Sequence, residues 1–300
     1  LTNSTASNNS ALGSNALSAN ISGNHNVAVG DYALTNSNNS FNSAFGSEAM
    51  RNNISGQYNT GIGYWALYNN NANNNTAVGA SALKTNQSGT NNTAMGYNAL
   101  TSDTARGNSA FGSYALYSNI GGENNAAMGF FAMRQNLSGS NNVALGKSAA
   151  YNNISGKYNC TIGYDALYQN KYKDGNTVIG YESMFSDTAG HHNVAIGYQT
   201  LRNATEGDYN VALGAYAMYN ATVMGYTVAI GDSALMHNGT GATNPLHAKN
   251  NTAVGSRSLF TNTTGYGNTA LGAKSLQLNT DGAYNTALGF KALPANGSGT

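Results

Sequence analysis

Small, large apolar and polar residues follow one another in a fixed order that recurs along the whole chain. The recurring phrase reads Asn, then Thr, Ser or Val, then Ala, a large apolar residue, Gly, two variable residues, Ala and Leu, and a polar stretch that commonly contains N-x-S-G. One copy, NNTAVGASALKTNQSG, spans Asn74 to Gly89, and the next begins at Asn91 as NNTAMGYNAL. The Gly of the phrase occurs 17 times at steps of 16 or 17 residues, apart from one step of 24 between Gly231 and Gly255. Such a period indicates a solenoid or another repeat array.

Each copy contains one short segment with the alternation of a β-strand. In Thr76-Ala77-Val78 the first and third side chains point to one face and the second to the other. We therefore predict an all-β fold, a parallel β-solenoid or β-roll of about 17 coils of 16–17 residues. The x-x-A-L segment, bounded by Gly and Asn, is too short for more than one helical turn and is predicted to be a second short strand or a tight corner. Residues 1–300 are predicted to form a single repeat array with a loop insertion at about 236–250, around MHNGTGATNPLHAKNN.

Two apolar ladders are predicted to face each other and fill a thin core, because stacked coils share one hydrophobic interior. The second ladder is the Leu position, which runs from Leu17 to Leu167 and beyond, with Ala150 as a gap. The first is the large apolar residue before Gly, and its predicted core residues are Val29, Ile62, Val78, Met95, Leu145, Ile179, Ile196, Leu213, Ile230, Leu271 and Leu288.

Small residues form two further stripes, one through Ala28 and Ala77 and one through Ala33 and Ala82. By alternation, the Ala between the two outer strand positions faces away from the apolar residue that follows it. A free solvent face would carry Lys, Glu or Asn, so persistent Ala indicates close approach by another backbone. Either the coil is very thin there or a second chain packs against it, and we favour a homo-oligomer of parallel rods.

Asparagine opens 16 of the 17 copies, and Thr227 replaces it in the remaining one. Stacked Asn side chains can hydrogen-bond along a solenoid and satisfy backbone groups at strand ends. We interpret this Asn as structural. N-x-[ST] sequons at Asn20, Asn53, Asn86, Asn153 and Asn262 follow from the Asn- and Ser-rich composition and are given no functional weight.

Composition narrows the classes of function. Charged residues make up 8% of the chain, against about 25% in an ordinary soluble domain, and the net charge is +1, so no nucleic-acid partner is expected. No apolar run approaches ~18 residues, so we expect no membrane insertion in this segment. A single cysteine, Cys160, excludes an internal disulfide framework. The opening LTNSTASNN aligns with the middle of a repeat, so we expect a processed product or a section of a longer protein.

Candidate chemistry is sparse. The acidic residues fall at unrelated repeat positions, and His191 and His192, with Asp187 nearby, are interpreted as a solvated loop rather than a metal site. We therefore predict no catalytic residue, no cofactor and no metal. Aromatic residues that follow the Gly form a possible aromatic contact surface, which we expect to serve stacking between turns in the first place and glycan binding as an alternative. Its members are Tyr64, Trp65, Tyr97, Phe130, Phe131, Tyr164, Tyr181 and Tyr198.

The phrases NTAVG at Asn75–Gly79, NVAIG at Asn193–Gly197 and NTALG at Asn268–Gly272 resemble the head repeats of YadA-type trimeric autotransporter adhesins. They also resemble repeats of phage tail-fibre-like and bacterial surface proteins. The resemblance covers the chain from Asn9 to Leu293 and implies a left-handed β-roll in a homotrimeric extracellular shaft or head that binds surfaces. Two departures stand beside it: the N-x-S-G loop lengthens each repeat, and these residues contain no coiled-coil stalk, anchor or chaperone.

Together these observations lead us to expect a non-catalytic structural or adhesive segment of an extracellular fibre at a cell or virion surface. Its expected partners are copies of itself, as a homotrimer or filament, with a host-cell surface or glycans as further partners. An ice-binding or glycan-binding solenoid is the alternative. The ice-binding alternative rests on a slot shared by Thr60, Thr76 and Thr93, although Val, Ser, Ala and Cys also occupy that slot. An enzyme embedded in a fibre has no isolated acid pair to support it.

Overall fold

The computed structural model describes residues 5–186, 190–244 and 246–296, which contain strands and turns and no helix. Contacts between Cα atoms divide the chain into two compact units, residues 1–142 and 143–300. Each unit is a parallel β-solenoid in which one short strand per turn pairs with the strand of the next turn. The predicted all-β parallel solenoid is therefore confirmed, with about 16 turns in all.

In the first unit, eight three-residue strands form one parallel sheet in strict register. The partners of Thr76, Ala77 and Val78 are Thr93, Ala94 and Met95 of the next turn. Equivalent residues of successive repeats therefore lie directly above one another, about 4.8 Å apart. The strands are Ser10–Leu12 (β1), Val27–Val29 (β2), Ser43–Phe45 (β3), Thr60–Ile62 (β4), Thr76–Val78 (β5), Thr93–Met95 (β6), Ser109–Phe111 (β7) and Ala126–Met128 (β8).

In the second unit, nine strands form a parallel sheet of the same kind, and two strands form a separate small parallel sheet. The nine are Val143–Leu145 (β9), Cys160–Ile162 (β10), Thr177–Ile179 (β11), Val194–Ile196 (β12), Val211–Leu213 (β14), Val228–Ile230 (β16), Thr252–Val254 (β17), Thr269–Leu271 (β18) and Thr286–Leu288 (β19). The small sheet pairs Glu206–Asp208 (β13) with Val223–Gly225 (β15). It occupies the part of the turn that is an irregular loop elsewhere.

The x-x-A-L segment is a tight corner, one of the two predicted forms, and it contains no second strand. In the turn after β5, Ser81 and Leu83 both have left-handed backbones with φ of 58° and 47°. A left-handed residue other than glycine costs roughly 1–2 kcal/mol, so burial must hold Leu83 in place. Gly79, where φ is 133°, begins the corner, and a Cβ there would lie 2.6 Å from the Gly96 carbonyl oxygen of the next turn. Glycine is therefore required at this position on two counts.

The core lies between the middle residue of each strand and the Leu of each corner. Ala77 and Ala94 on the strands, Ala82 before the corner Leu, and Leu83 itself are all 0% exposed. The interior space is narrow: a Cβ added to Gly61, which replaces Ala on β4, would already lie 3.0 Å from a Met50 methyl carbon. The predicted Leu ladder is thus confirmed as core in both units. Its buried members are Leu17, Leu34, Met50, Leu67, Leu83, Leu100, Leu116 and Met133, then Ala150, Leu167, Met184, Leu201, Met218, Leu235, Leu259 and Leu276.

The other predicted core ladder is wrong. The large apolar residue before Gly aligns with its counterparts one turn away, but it points out of the coil, because the Ala before it fills the only inward strand position. The Ala stripes therefore mark a thin coil, not a contact with a second chain. Ile62, Met95, Leu145, Ile230, Leu271 and Leu288 are exposed, whereas Val29, Val78, Ile179, Ile196 and Leu213 are half-buried.

The Asn that opens the main strands forms a ladder, as predicted, and it is buried in every copy that has it except at Asn9, which is half-buried. We call this set the strand-leading asparagines. Asn75 Nδ2 donates to the Gly89 carbonyl at 2.9 Å, and its Oδ1 accepts the backbone N–H of Asn92 at 2.9 Å. The same arrangement links Asn176, Asn193 and Asn210 in the second unit. Each side chain thus satisfies backbone groups at the edge of the coil that no strand pairing reaches.

A second buried ladder, which sequence analysis missed, runs through the Asn of the N-x-S-G loop. We call this set the loop asparagines; those of the first unit are Asn20, Asn53, Asn70, Asn86, Asn119 and Asn136, with Asp103 and Ser37 at equivalent positions. Asn86 Nδ2 donates to the Gly89 carbonyl at 2.7 Å and to Asn70 Oδ1 at 2.8 Å. The five sequon asparagines named above belong to this type and are at most 2% exposed, so the folded chain offers no acceptor there for a glycan.

The predicted insertion is a loop in the turn between β16 and β17, and Pro245 within it lies outside the described residues. The loop closes where Asn238 Nδ2 donates to the Ala248 carbonyl at 2.8 Å. Gly239 has a left-handed backbone, and Leu246 is 65% exposed. The buried ladders therefore continue past the insertion.

Candidate interaction surfaces

The outward side of the main strands is an uncharged surface in which a row of large apolar side chains, the third residue of each strand, runs beside a row of mostly Ser, Thr and Val, the first residue. We call it the outer sheet face, and it consists of the first and third residues of each strand except those of β13 and β15. No residue of these strands is charged. In the first unit, Ile62 and Met95 are 41% and 46% exposed, and Val78 between them is half-buried. In the second unit Leu145 and Ile230 are comparably exposed.

Such a surface is unusual for a chain that remains alone in water. Single exposed hydrophobic residues are common, but contiguous apolar patches on soluble monomers are small and mark interaction sites when they are large. On the outer sheet face, the apolar position repeats with every turn at the strand spacing, so the patch is continuous within each unit. Its chemistry suits a partner that is itself apolar and repeats at the same interval.

The predicted aromatic contact surface lies next to the outer sheet face. Its members divide into two sets. The residue directly after Gly is exposed, and this set contains Tyr64, Tyr97, Phe130, Tyr164, Tyr181 and Tyr198. The second residue after Gly, Trp65 or Phe131, has a left-handed backbone and is half-buried. These residues are therefore accessible, and what they contact outside the chain remains a prediction.

Most of these rings cover one another's faces. Tyr164, Tyr181 and Tyr198 form a column with centroids 5.3 Å apart and interplanar angles of 11° and 10°. In the first unit, Tyr64 stacks on Trp65 at 4.5 Å, and the ammonium group of Lys84 lies 3.8 Å from the Trp65 ring centroid. A sugar binds an aromatic side chain through its open face, so an inner ring of such a column offers a ligand mainly its edge and hydroxyl.

Three further aromatic columns were not predicted. One stacks His25, Phe41 and Tyr58 at 5.1 and 4.9 Å. The others, in the second unit, are His192–Tyr209–Tyr226 and Tyr151–Tyr168–Phe185. Their sequence signal is the recurrence of an aromatic residue at the repeat interval, for example just before the strand-leading Asn. Stacking along the repeat axis thus explains most aromatic positions.

The main ionic contact of the second unit lies beside the tyrosine column. Glu182 Oε2 accepts hydrogen bonds from Arg202 Nε at 2.6 Å and from Gln199 Nε2 at 2.9 Å. Burial alone would raise the pKa of Glu182, but these bonds and one from Tyr181 lower it overall. The same contact with Glu182 raises the pKa of the Tyr181 phenol. The Tyr181 phenol is therefore neutral at physiological pH.

Reactive groups are scattered across the part of the chain that the structure describes. Within it, no three His, Cys, Asp or Glu side chains lie close enough to hold a metal ion, and no helix could cross a membrane. His191 Nδ1 accepts the backbone N–H of Asp174 at 3.2 Å, and His192 stacks on Tyr209, while Asp187 lies outside the described residues. Cys160 is a half-buried free thiol at the outward first position of β10.

The outer sheet face and the aromatic surface are therefore the two features from which a function can be argued. No protein-family model matches this chain, and no curated protein matches it at a significant level.

Proposed function

We propose that this chain is a non-catalytic structural and adhesive segment of an extracellular fibre, in which copies pack side by side through their outer sheet faces. The observation that supports it most is the uncharged outer sheet face, with Ile62 and Met95 exposed and in register with their neighbours. Burial of apolar surface contributes roughly 25 cal/mol per Å², so a face repeated over many turns provides a strong association energy.

A second copy of the chain is the partner that fits this face best. Its strands advance by the same interval, so a contact made at one turn recurs at the next without loss of register. Without charge on either face, close approach meets no electrostatic repulsion. We propose a homotrimer of left-handed solenoids, the arrangement implied by the resemblance to YadA-type heads, with longer filaments as the alternative assembly.

In this proposal the aromatic surface borders the contact and stays accessible at the outside of the fibre. If the fibre stands on a cell or virion surface, the aromatic surface is the part of it that would contact a host surface or glycans. Tyr164 and Tyr198 are exposed and their hydroxyl groups can hydrogen-bond such a ligand, whereas the Tyr181 hydroxyl already bonds Glu182. Adhesion by this surface depends on many weak contacts repeated along the fibre.

The assembly is tested by measuring the mass of the chain in solution by light scattering and native mass spectrometry. We expect three times the monomer mass for the natural chain and a monomer for the double variant Ile62→Asp, Met95→Asp. The matched control is Ile54→Asp, Ile120→Asp, which places the same charges on exposed loop positions of the same unit. A natural chain that stays monomeric, or a control that dissociates as readily, would refute the proposal.

The ice-binding alternative has one supporting observation. Thr60, Thr76 and Thr93 are in register on the outward side of β4 to β6. The flanking outward positions, however, carry side chains as different as those of Phe45 and Met95, and a face that orders water needs uniform height. Thermal hysteresis by the monomeric chain would favour ice binding over fibre assembly.

A further inference from the structure

The loop asparagines work as a chain of donors and acceptors along the first unit. Asn70 Nδ2 donates to the Ala72 carbonyl of its own turn at 2.8 Å and to Asn53 Oδ1 of the previous turn at 3.1 Å. Asn86 repeats the second bond onto Asn70 at 2.8 Å. Each position therefore needs a donor on one side and an acceptor on the other.

Asp103 occupies one of these positions and is 0% exposed. Its Oδ1 behaves like the amide oxygen of a loop asparagine, because it accepts from Asn119 Nδ2 at 2.8 Å and from the Ala105 backbone N–H at 3.0 Å. Oδ2 replaces the amide nitrogen and accepts a long contact, 3.4 Å, from Asn108 Nδ2. An ionised carboxylate has no hydrogen to donate, so the chain of side-chain bonds stops between Asp103 and Asn86.

No ion pair among the described residues involves Asp103. The nearest charged residue in the sequence, Arg106, pairs with Glu123 at 3.3 Å on the exposed surface, and the next, Lys84, lies 3.8 Å from the Trp65 ring centroid. Burial raises the pKa of Asp103 to about 7, against hydrogen bonds from Ala105, Asn119, Asn108 and Thr104. Burial without a counter-ion favours the neutral acid.

We propose that Asp103 is a neutral carboxylic acid in the folded chain in mildly acidic solution, where it donates its proton to the Asn86 side-chain oxygen, and that its ionisation weakens this part of the first unit. In the neutral form the ladder is continuous from Asn53 to Asn136. In the ionised form an acceptor faces an acceptor at the Asp103 position. This site makes the solenoid sensitive to pH independently of its proposed assembly.

The sign of the pH dependence follows from the proton count. The unfolded chain ionises Asp103 at its ordinary pKa of 3.8, whereas the folded chain retains the proton to about pH 7. Between these values the folded state binds more protons than the unfolded state, so stability falls as the pH rises through the window and is level above it. A shift of roughly three pH units corresponds to a loss of at most roughly a thousandfold in the folding equilibrium constant.

The test compares urea unfolding of the natural chain and of Asp103→Asn from about pH 4 to about pH 9. Trp65 is the single tryptophan and lies in the first unit, so its fluorescence reports on the relevant part of the chain. We expect Asp103→Asn to be more stable above pH 7 and to lack the decline that the natural chain shows between pH 4 and pH 7. Asp31→Asn, at an exposed acid of the same unit, is the matched control and should leave the decline unchanged.

A direct measurement keeps the proposal testable if Asp103→Asn does not fold. The carboxyl carbon of Asp103, followed by NMR in the natural chain, is expected to titrate near neutral pH, and infrared spectra at pH 6 should show one protonated carboxyl group. Titration of Asp103 in the ordinary acidic range would overturn the proposal. So would unfolding curves of the natural chain and Asp103→Asn with the same pH dependence.

Discussion

The strands of the first unit pair in one backbone register, but the side chains on their inward and outward sides differ in size and burial. On the inward side the middle residue is Ala on nearly every strand and, as at Ala77 and Ala94, is buried from β2 onward, whereas Ala11 of the first strand is exposed. On the outward side the third residue changes from Val78 to Met95 to Phe111 without any change in strand register. The inward side tolerates one size because a strand and a corner meet across it, whereas the outward side has no neighbour in the same chain to fix its shape. Stability and assembly are thus separated onto opposite sides of the same three residues.

The largest effect is expected from enlarging an inward residue. Ala94→Leu adds three carbons to the narrow interior of the coil. At the equivalent position of β4, a Cβ added to Gly61 would already lie 3.0 Å from the Met50 methyl carbon. Overpacking of a tight core costs typically 1–3 kcal/mol, and we expect about 3 kcal/mol or more here, because backbone bounds the space. Unfolding in urea, followed by Trp65 fluorescence, measures the loss.

The matched control for that change is its neighbour on β6. Met95→Ala removes a larger side chain, but from a position that is 46% exposed. We expect a cost below about 1 kcal/mol in the free energy of unfolding of the monomer. A cost for Met95→Ala equal to that for Ala94→Leu would mean that the inward and outward assignments are reversed.

The next effect is the loss of a corner side chain from the core. Leu100 is 0% exposed and has a left-handed backbone, so Leu100→Ala leaves a cavity without relieving any strain. Buried Leu→Ala changes cost about 2–5 kcal/mol, and the lower half of that range is expected because the thin coil can partly collapse. Ile62→Ala, on the outward side, should cost much less. Calorimetric melting of both variants distinguishes them, and equal shifts would contradict a core at the corner Leu.

A smaller effect is expected at the strand-leading asparagines. Asn75→Ala removes the acceptor for the buried Asn92 N–H, whereas the Gly89 carbonyl loses one of its two donors and keeps Asn86 Nδ2. An unsatisfied buried group costs about 1–3 kcal/mol, so we expect about 2 kcal/mol. Asn73→Ala is the control, because its bond to the Gln57 N–H is exposed and water can replace it. Hydrogen exchange at Asn92 should rise in the first variant and not in the second.

The repeat period alone was sufficient to predict the architecture. A fixed step of 16–17 residues with one strand-like segment leaves few alternatives to a parallel solenoid, and the corner Leu and strand-leading Asn were placed correctly. The prediction of which strand residues face the core was wrong, because a large apolar side chain was taken as the sign of burial. Ala is inside because the coil is thin, and constancy across copies, as at Ala77 against Val78, is the signal that identifies the interior. Partner and assembly lie outside what a repeat pattern specifies.

The loop asparagines were overlooked for a related reason: polar residues near Gly and Ser are ordinarily assigned to solvent-exposed turns. Asn53, Asn70 and Asn86 recur at the repeat period as strictly as the corner Leu does. An Asn that stays the same from copy to copy, while its neighbours in sequence vary, is therefore identified as an interior residue in the same way as Ala77. Its amide serves the carbonyl groups of a loop that has no strand partner.

The smallest effect is a gain, at the one loop-asparagine position of the first unit that carries a serine. Ser37 is 0% exposed, and its hydroxyl has no hydrogen-bond partner, while Asn20 and Asn53 occupy the equivalent positions one turn before and after. Ser37→Asn supplies the amide that the ladder uses elsewhere, so we expect a stabilisation of about 1 kcal/mol, the net value of a satisfied hydrogen bond. The reciprocal change, Asn53→Ser, should destabilise the unit by a similar amount or more, since it removes one of the two amide donors to the Gly56 carbonyl and the acceptor for Asn70 Nδ2. Urea midpoints for the two variants should move in opposite directions, and movement in the same direction would show that the shorter turn around Ser37 is closed by contacts of its own.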